Sequence, residues 1–460
     1  MTLLARLRRP HDRFDHRLVP PLILGSVLNP VNSSMLAVAL VPIGIAFGAP
    51  PAETAYLVSA LYLATAIAQP VVGRLVDLYG ARRLYLAGTA TVGAAGVLAA
   101  FAPSLGWLIV SRVLLGIGTC AAFPSAMHLI RREADRTGTA TPAGVLTTLS
   151  VATQTIVVIG PTLGGVLVGL GGWRAIFTVN VPLAIACLVL GWLRLPREEA
   201  VSRGLGRTDP PGMVLFGATL LGLMLFLMRP QPAHWYLVAL AVVAGAGLVV
   251  RERRAGEPFV DLKVLAGNRP LLATYTRQVL SYVVSYALLF GYTQWLQQTR
   301  GLSPTVAGLM LLPMSAVAVV VAATTGRRPE LRGKLLVGAV ALVAVCALLL
   351  VLDARSPIWI IVVIAALAGV PQGLNNLANQ NALYAQADPD RMGSSAGLLR
   401  TCMYLGAIAS SAVTAAAFPV SADTPGLRVL ALVMGGCALA LLVLVVVDRS
   451  LPARLSRSTT

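Results

Sequence analysis

Three arginines stand where arginine is expensive. Arg112 lies six residues into an uncharged apolar run, and Arg277 and Arg400 each lie about eight residues inside others. At 1.5 Å per helical residue the latter two sit roughly 12 Å deep. Ionisable side chains at such depth face a cavity or a partner; for Arg112, snorkelling to the surface is the competing reading. Gln372, Asn376, Asn379 and Gln380 fall along one helical stripe at a similar depth, and Gln278, Tyr282, Ser285 and Tyr286 along another. Guanidinium groups in low-dielectric surroundings favour anionic or neutral solutes over cations. Tyrosines offer stacking and hydroxyls, which favours a cavity for the second stripe. The amide stripe fits cavity lining and interhelical hydrogen bonding equally. The apolar runs hold no H-E-x-x-H and no His/Asp/Glu cluster; their histidines are His128, near the end of one, and His234, at the edge of another. No enzyme chemistry, metal or cofactor is expected. The five cysteines all fall in apolar runs without zinc-type spacing and read as packing residues.

The elements that hold these groups are membrane helices. Between Arg136 and Arg174 lie 37 residues without a formal charge, and comparable runs recur along the chain. A bilayer core needs about 20 residues per helix. The reading is an all-α polytopic membrane protein with fourteen spans, roughly 19–45, 54–73, 84–102, 106–130, 143–170, 173–193, 210–228, 233–250, 270–297, 304–325, 334–352, 357–384, 392–417 and 426–447. Alternate loops, starting with the N-terminus, carry 28 basic residues, and the opposite loops carry five (Arg174, Arg229, Arg300, Arg355 and Arg428). That asymmetry places both termini in the cytoplasm. The net charge of +18 is thereby assigned to orientation, and nucleic acid is not an expected partner. The first span reads as a retained helix, since no small-residue cleavage site follows it. No loop exceeds about 20 residues, which leaves no large domain for a receptor or scaffold.

An internal repeat is visible. Gly73-x3-Asp77-x2-Gly80, followed by Arg82 and Arg83, comes after span 2; Gly326-x3-Glu330-x2-Gly333 comes after span 10. Spans 1–6 and 9–14 then correspond, which divides the chain into a six-helix bundle at 1–196, a loop with an inserted two-helix hairpin at 197–265, and a second six-helix bundle at 266–460. Parallel repeats of six helices are a transporter architecture with the substrate between the halves. The turn at Gly73–Arg83 reads either as a capped helical hairpin or as a gate. Gly160, Gly164, Gly165 and Gly169 sit four apart in pairs on span 5, which permits close helix approach, and Pro161 favours a kink.

Gly73–Arg83, Arg112-Val-Leu-Leu-Gly116-Ile-Gly118, Gly160-Pro161-Thr-Leu-Gly164-Gly165 and Trp173-Arg-Ala-Ile-Phe177-Thr-Val-Asn180 follow one another in this order. Together they resemble the major facilitator superfamily, in particular its fourteen-helix drug:proton antiporter branch, over nearly the whole chain. The resemblance implies two six-helix bundles that rock about a central site in the plasma membrane. It implies export of a small drug or metabolite, with protons as a further partner. By that resemblance Asp77 belongs to a cytoplasmic latch, Arg112 to proton coupling, and Gly160-Pro161 to the antiporter motif. Glu330 takes the latch position of the second half.

One position departs from the branch. Its first helix usually carries Asp where this chain has Asn32, which cannot titrate. All 18 acidic residues lie in loops or at span ends, Glu53 nearest the membrane. Proton coupling would then run through Glu53, Asp77 or the substrate itself. Expected cavity residues are Asn32, Arg112, Arg277, Gln278, Tyr282, Tyr286, Gln372, Asn376, Asn379 and Arg400. Asn32→Asp is expected to favour cations, and Arg277→Gln or Arg400→Gln to weaken substrate binding while leaving folding intact. A facilitator or importer of an anionic or zwitterionic metabolite is the runner-up reading.

Overall fold

The computed structural model describes residues 15–137, 143–197, 209–228, 231–254, 268–325, 330–387 and 392–448, and these are helical apart from short turns. Eleven helices among them are long and apolar enough to cross a membrane, or thirteen if each of two bent pairs counts as one crossing. Span 9, expected from the sequence, is not among the thirteen. It is helical from Arg269 to Gln298, but a π-helical turn at Leu288–Tyr292 interrupts it.

Proline and serine account for the bends. Span 1 consists of Val19–Ser34 and Leu36–Phe47, which meet at 50°. Pro30 and Pro42 each remove a donor from the helical ladder. The Ser33 and Ser34 hydroxyls donate back to the Pro30 carbonyl at 3.1 and 2.6 Å, a pattern that bends helices. Span 5, Ala143–Gly171, turns by 51° between Val151–Val157 and Ile159–Gly171. The bend lies just before Pro161, whose ring displaces the carbonyl four residues upstream.

Packing repeats from half to half. Span 1 packs on span 5, span 2 (Pro51–Tyr79) on span 4 (Leu105–Thr137), and span 3 (Ala81–Ala100) on spans 4 and 6 (Ala175–Arg194). In the second half span 9 packs on span 13 (Met392–Ala417), and span 10 (Pro304–Thr325) on span 12 (Ile358–Gln386). Span 11 (Leu331–Leu350) packs on spans 12 and 14 (Thr424–Val447). The halves meet along two seams, span 2 on span 13 and span 5 on span 10, which exchange under the same correspondence. Span 7 (Pro210–Met228) packs on span 8 (Trp235–Arg254) and rests on spans 2 and 13. Two large buried apolar clusters follow this division. One runs from Leu18 to Leu248 and takes in Phe290, Tyr404, Ala407 and Ile408; the other runs from Val284 to Val445.

Candidate functional site

In the first half, Arg112 is fully buried. Its Nε donates to the Leu57 carbonyl at 3.0 Å and its Nη1 to the Asn32 carbonyl at 2.9 Å, while Nη2 has no partner. It ties span 4 to spans 1 and 2 through backbone oxygens. Asn32 turns to Asn180 in span 6. Each amide donates to the other, at 2.6 and 2.8 Å, and both side chains are buried. The departure from a carboxylate at Asn32 thus has a local reason, because two amides can exchange hydrogen bonds as donor and acceptor at once. Asn32 and Arg112 therefore act first as a buried brace. Trp173, Arg174 and Phe177 hold the turn before span 6: the Arg174 guanidinium lies 4.2 Å over the Trp173 ring and donates to the Ala100 carbonyl.

The second-half arginines separate. Arg277 is fully buried and forms an ion pair with Asp448, just beyond span 14, and its Nη2 donates to Thr274 at 2.6 Å. Arg277 therefore does not supply an uncompensated charge to a central space. Arg400 lies half-buried in span 13 with its guanidinium 4.0 Å over the ring of Phe123 in span 4, so it bridges the two halves.

Around Arg400 the structure assembles aromatic residues from four spans, Phe123 of span 4 among them. Tyr62 of span 2 packs edge-on against Tyr286 at 5.2 Å and lies 6.0 Å from Tyr404. Tyr282, Tyr286 and Phe290 stack in sequence along span 9, at 5.5 and 5.8 Å. The Tyr404 hydroxyl donates across the seam to Gln69 at 2.8 Å. Tyr282, Tyr286, Phe123, Gln69 and Arg400 are only partly buried. Such a surface accepts flat apolar groups by stacking and one negative or polar group at the guanidinium.

The amide stripe divides in two. Asn379 donates to Gln278 at 3.0 Å, and both are buried between spans 12 and 9. Asn376 accepts from Gln380, which is exposed, at 3.2 Å. Gln372 leaves its Oε1 without a partner, as does Asn375 its Oδ1. Tyr62, Gln69, Tyr404 and Phe123 were not singled out from sequence, and Asn180 only as part of a motif. Tyr404 stands one turn from Arg400, and that spacing could have found it. The others stand alone in apolar runs, where only the pairing of distant helices gives them meaning.

The glycine-rich stretch of span 5 has two faces. A Cβ at Gly160 would strike Ser34 Oγ, and one at Gly164 would lie 2.8 Å from the Met35 carbonyl oxygen, both within the first half. A Cβ at Gly165 would lie 2.7 Å from the Pro304 carbonyl oxygen, across the seam. Pro161 is buried beside Gly308 of span 10. Hydrogen bonds lock this end of the molecule: Thr162 to the Gly308 carbonyl at 2.9 Å and Thr305 to the Gly165 carbonyl at 2.8 Å. Gln297 donates to the Val38 carbonyl at 3.1 Å, the oxygen that Pro42 leaves without its helical partner. Ser59 and Ser411 join at 2.9 Å. At the opposite end, no described residue lies within 4 Å of a Cβ position at Gly73 or Gly397. The halves are thus sealed at the end away from the described chain ends.

Of the expected latch, Gly80 closes span 2 with a φ of 91°, a conformation that favours glycine. Arg82 does not cross the seam: it donates to the Trp192 carbonyl at 2.7 Å in span 6. Arg83 is exposed, and so is Glu330, the residue before span 11. The side chain of Asp77 and residues 326–329 lie outside the described residues. No group of three or more metal-ligating side chains occurs among the described residues.

Residues 22–411 match the family model of the Major Facilitator Superfamily. The chain is 33% identical over 426 residues to the uncharacterized MFS-type transporter YwoD of Bacillus subtilis, covering 90% of this chain and 93% of that relative. It is 29% identical to the tetracenomycin C resistance and export protein of Streptomyces glaucescens, over 85% of this chain and 73% of that one. Among solved structures, the nucleoside transporter NupG (D323A mutant) superposes with a TM-score of 0.67 at 12% identity, covering 93% of this chain and 99% of that chain, a likeness of fold. The chain belongs to the major facilitator superfamily and is a multi-pass membrane transporter, not an enzyme.

Proposed function

We propose that the protein exports a small amphiphilic drug or metabolite, neutral or anionic, by alternating access between two six-helix halves. The substrate site is the seam lined by Tyr62, Tyr282, Tyr286, Tyr404 and Arg400. One observation carries this reading: the aromatic and cationic groups come from both halves, so rocking of the halves exposes the same surface to either side. Gln372, Asn376 and Gln380 line the approach to it. Fourteen crossings, both termini in the cytoplasm and the 197–265 hairpin as an insert complete the arrangement. The seal at Gly165 and Gly308 is then the outer gate, Asp77 and Glu330 belong to the inner one, and the described conformation is open to the cytoplasm. Export accords with the resistance and export role named for the Streptomyces relative. Any proton coupling runs through Glu53, Asp77 or the substrate.

The test is accumulation of fluorescent amphiphiles of each charge type in cells that do or do not express the protein. Lower steady-state accumulation of neutral or anionic dyes, reversed by Arg400→Gln, supports the proposal. Higher accumulation on expression would establish import instead.

A further inference from the structure

At the membrane edge, between the start of span 3 and the end of span 6, lies a cleft of about 280 Å³ lined by Tyr79, Gly80, Arg82, Arg83, Trp192 and Arg197, together with Leu86. Among the described residues three cations line it and no carboxylate does; the side chain of Asp77 and residues 198–208 lie outside them. The N-terminus of the Ala81–Ala100 helix opens into it, and no side chain caps that terminus. Free first-turn amides attract anions. Arg82 supplies an independent sign. It is nine-tenths buried, its guanidinium lies 5.0 Å from the Trp192 ring, and its Nε has no partner. A buried guanidinium N–H without an acceptor is costly, and a phosphate oxygen is the acceptor that suits it.

The surroundings identify the source of that phosphate. Ile185, Val189 and Trp192 follow one another along one face of span 6, each more than half or half exposed (56%, 50% and 61%). They form an apolar track leading from the cleft into the hydrocarbon layer, with Tyr79 and Trp192 at the level where aromatic residues meet headgroups. The volume lies just below the ~300–1,000 Å³ typical of ligand clefts, enough for a headgroup phosphate. We infer that this cleft binds the phosphate of an anionic phospholipid, whose acyl chain lies along Ile185 and Val189. The lipid joins span 3 to span 6 from outside, at the turn that links spans 2 and 3. Its site is separate from the tyrosine seam and does not depend on the transported compound.

The test is native mass spectrometry of the detergent-solubilised protein with phosphatidylglycerol, phosphatidylcholine or soluble glycerol phosphate. The variants are Arg83→Gln/Arg197→Gln, chosen because both residues are exposed, and Ile185→Ala/Val189→Ala. Wild type should retain phosphatidylglycerol over phosphatidylcholine. The double arginine variant should bind it roughly 30-fold more weakly, about 5-fold per arginine. The double alanine variant should also lose retention. Equal retention of the two lipids, or no loss in the arginine variant, overturns the site. Retention of glycerol phosphate as tight as that of the lipid shows a soluble phosphate site and overturns the lipid assignment.

Discussion

Gly165→Ala should open the seal between the halves. The added Cβ would sit 2.7 Å from the Pro304 carbonyl oxygen and 3.0 Å from Thr305 Cα. Both are backbone atoms of the opposite half, so no side-chain rotation relieves the contact. To reach ordinary contact the seam must widen from 2.7 to at least 3.4 Å at that point. Overpacking of this kind costs about 1–3 kcal/mol. In the alternative arrangement the seam has parted and that cost is absent. The sealed state therefore loses occupancy by about 5- to 150-fold relative to the open one. Gly160→Ala supplies the control: its Cβ meets Ser34, which travels with it in the same half, so stability falls but the equilibrium stays. Spin labels at positions 170 and 351, exposed residues on opposite halves, would read the distance across this end in a background lacking the five native cysteines. Gly165→Ala should add a longer distance. An unchanged distribution, or an equal shift in Gly160→Ala, would refute the division of the glycine stretch into an internal face and a seam face.

Three other perturbations follow from the same packing. Arg277→Gln leaves Asp448 with its buried partner gone and should destabilise the fold by about 3–5 kcal/mol, while adding Asp448→Asn recovers much of that; thermal unfolding of the purified protein checks both. Asn32→Asp removes one donor of the reciprocal amide pair with Asn180 and should cost about 1–3 kcal/mol without conferring transport of cations, as unfolding and substrate profiles would show together. Tyr404→Phe loses the cross-seam bond to Gln69, worth about 0.5–1.5 kcal/mol, so transport should fall by about 2- to 12-fold at unchanged expression; an unaltered rate would remove that bond from the substrate cycle.

Thirteen of the fourteen expected spans correspond to long apolar helices, counting each bent pair as one crossing, because a bilayer tolerates few charges and uncharged runs mark the helices. The kink before Pro161 was legible too, since proline acts on its own helix. The break at Met35 was not, because it combines two prolines with back-bonded Ser33 and Ser34, whose rotamers the sequence does not display. The site was half legible. Tyr282 and Tyr286 announce themselves as a stripe on one helix, whereas Tyr62 and Tyr404 join them only through the seam of spans 2 and 13. Arg277 resembled Arg400 in depth and neighbours. The difference is Asp448, 171 residues further along, which reaches it only when span 14 packs on span 9. Asn32 likewise meets Asn180 across 148 residues. Contacts of this separation leave no local periodicity to read.

On the function proposed above, the tyrosine seam with Arg400 selects the transported compound by charge. Transport in proteoliposomes tests it most directly, with pH gradients of either sign imposed and paired amphiphiles that differ only in charge. The expected result is movement of the neutral and anionic members, reduced by Arg400→Gln, with the permanent cation left behind. Robust antiport of the permanent cation, unaffected by Arg400→Gln, would contradict it.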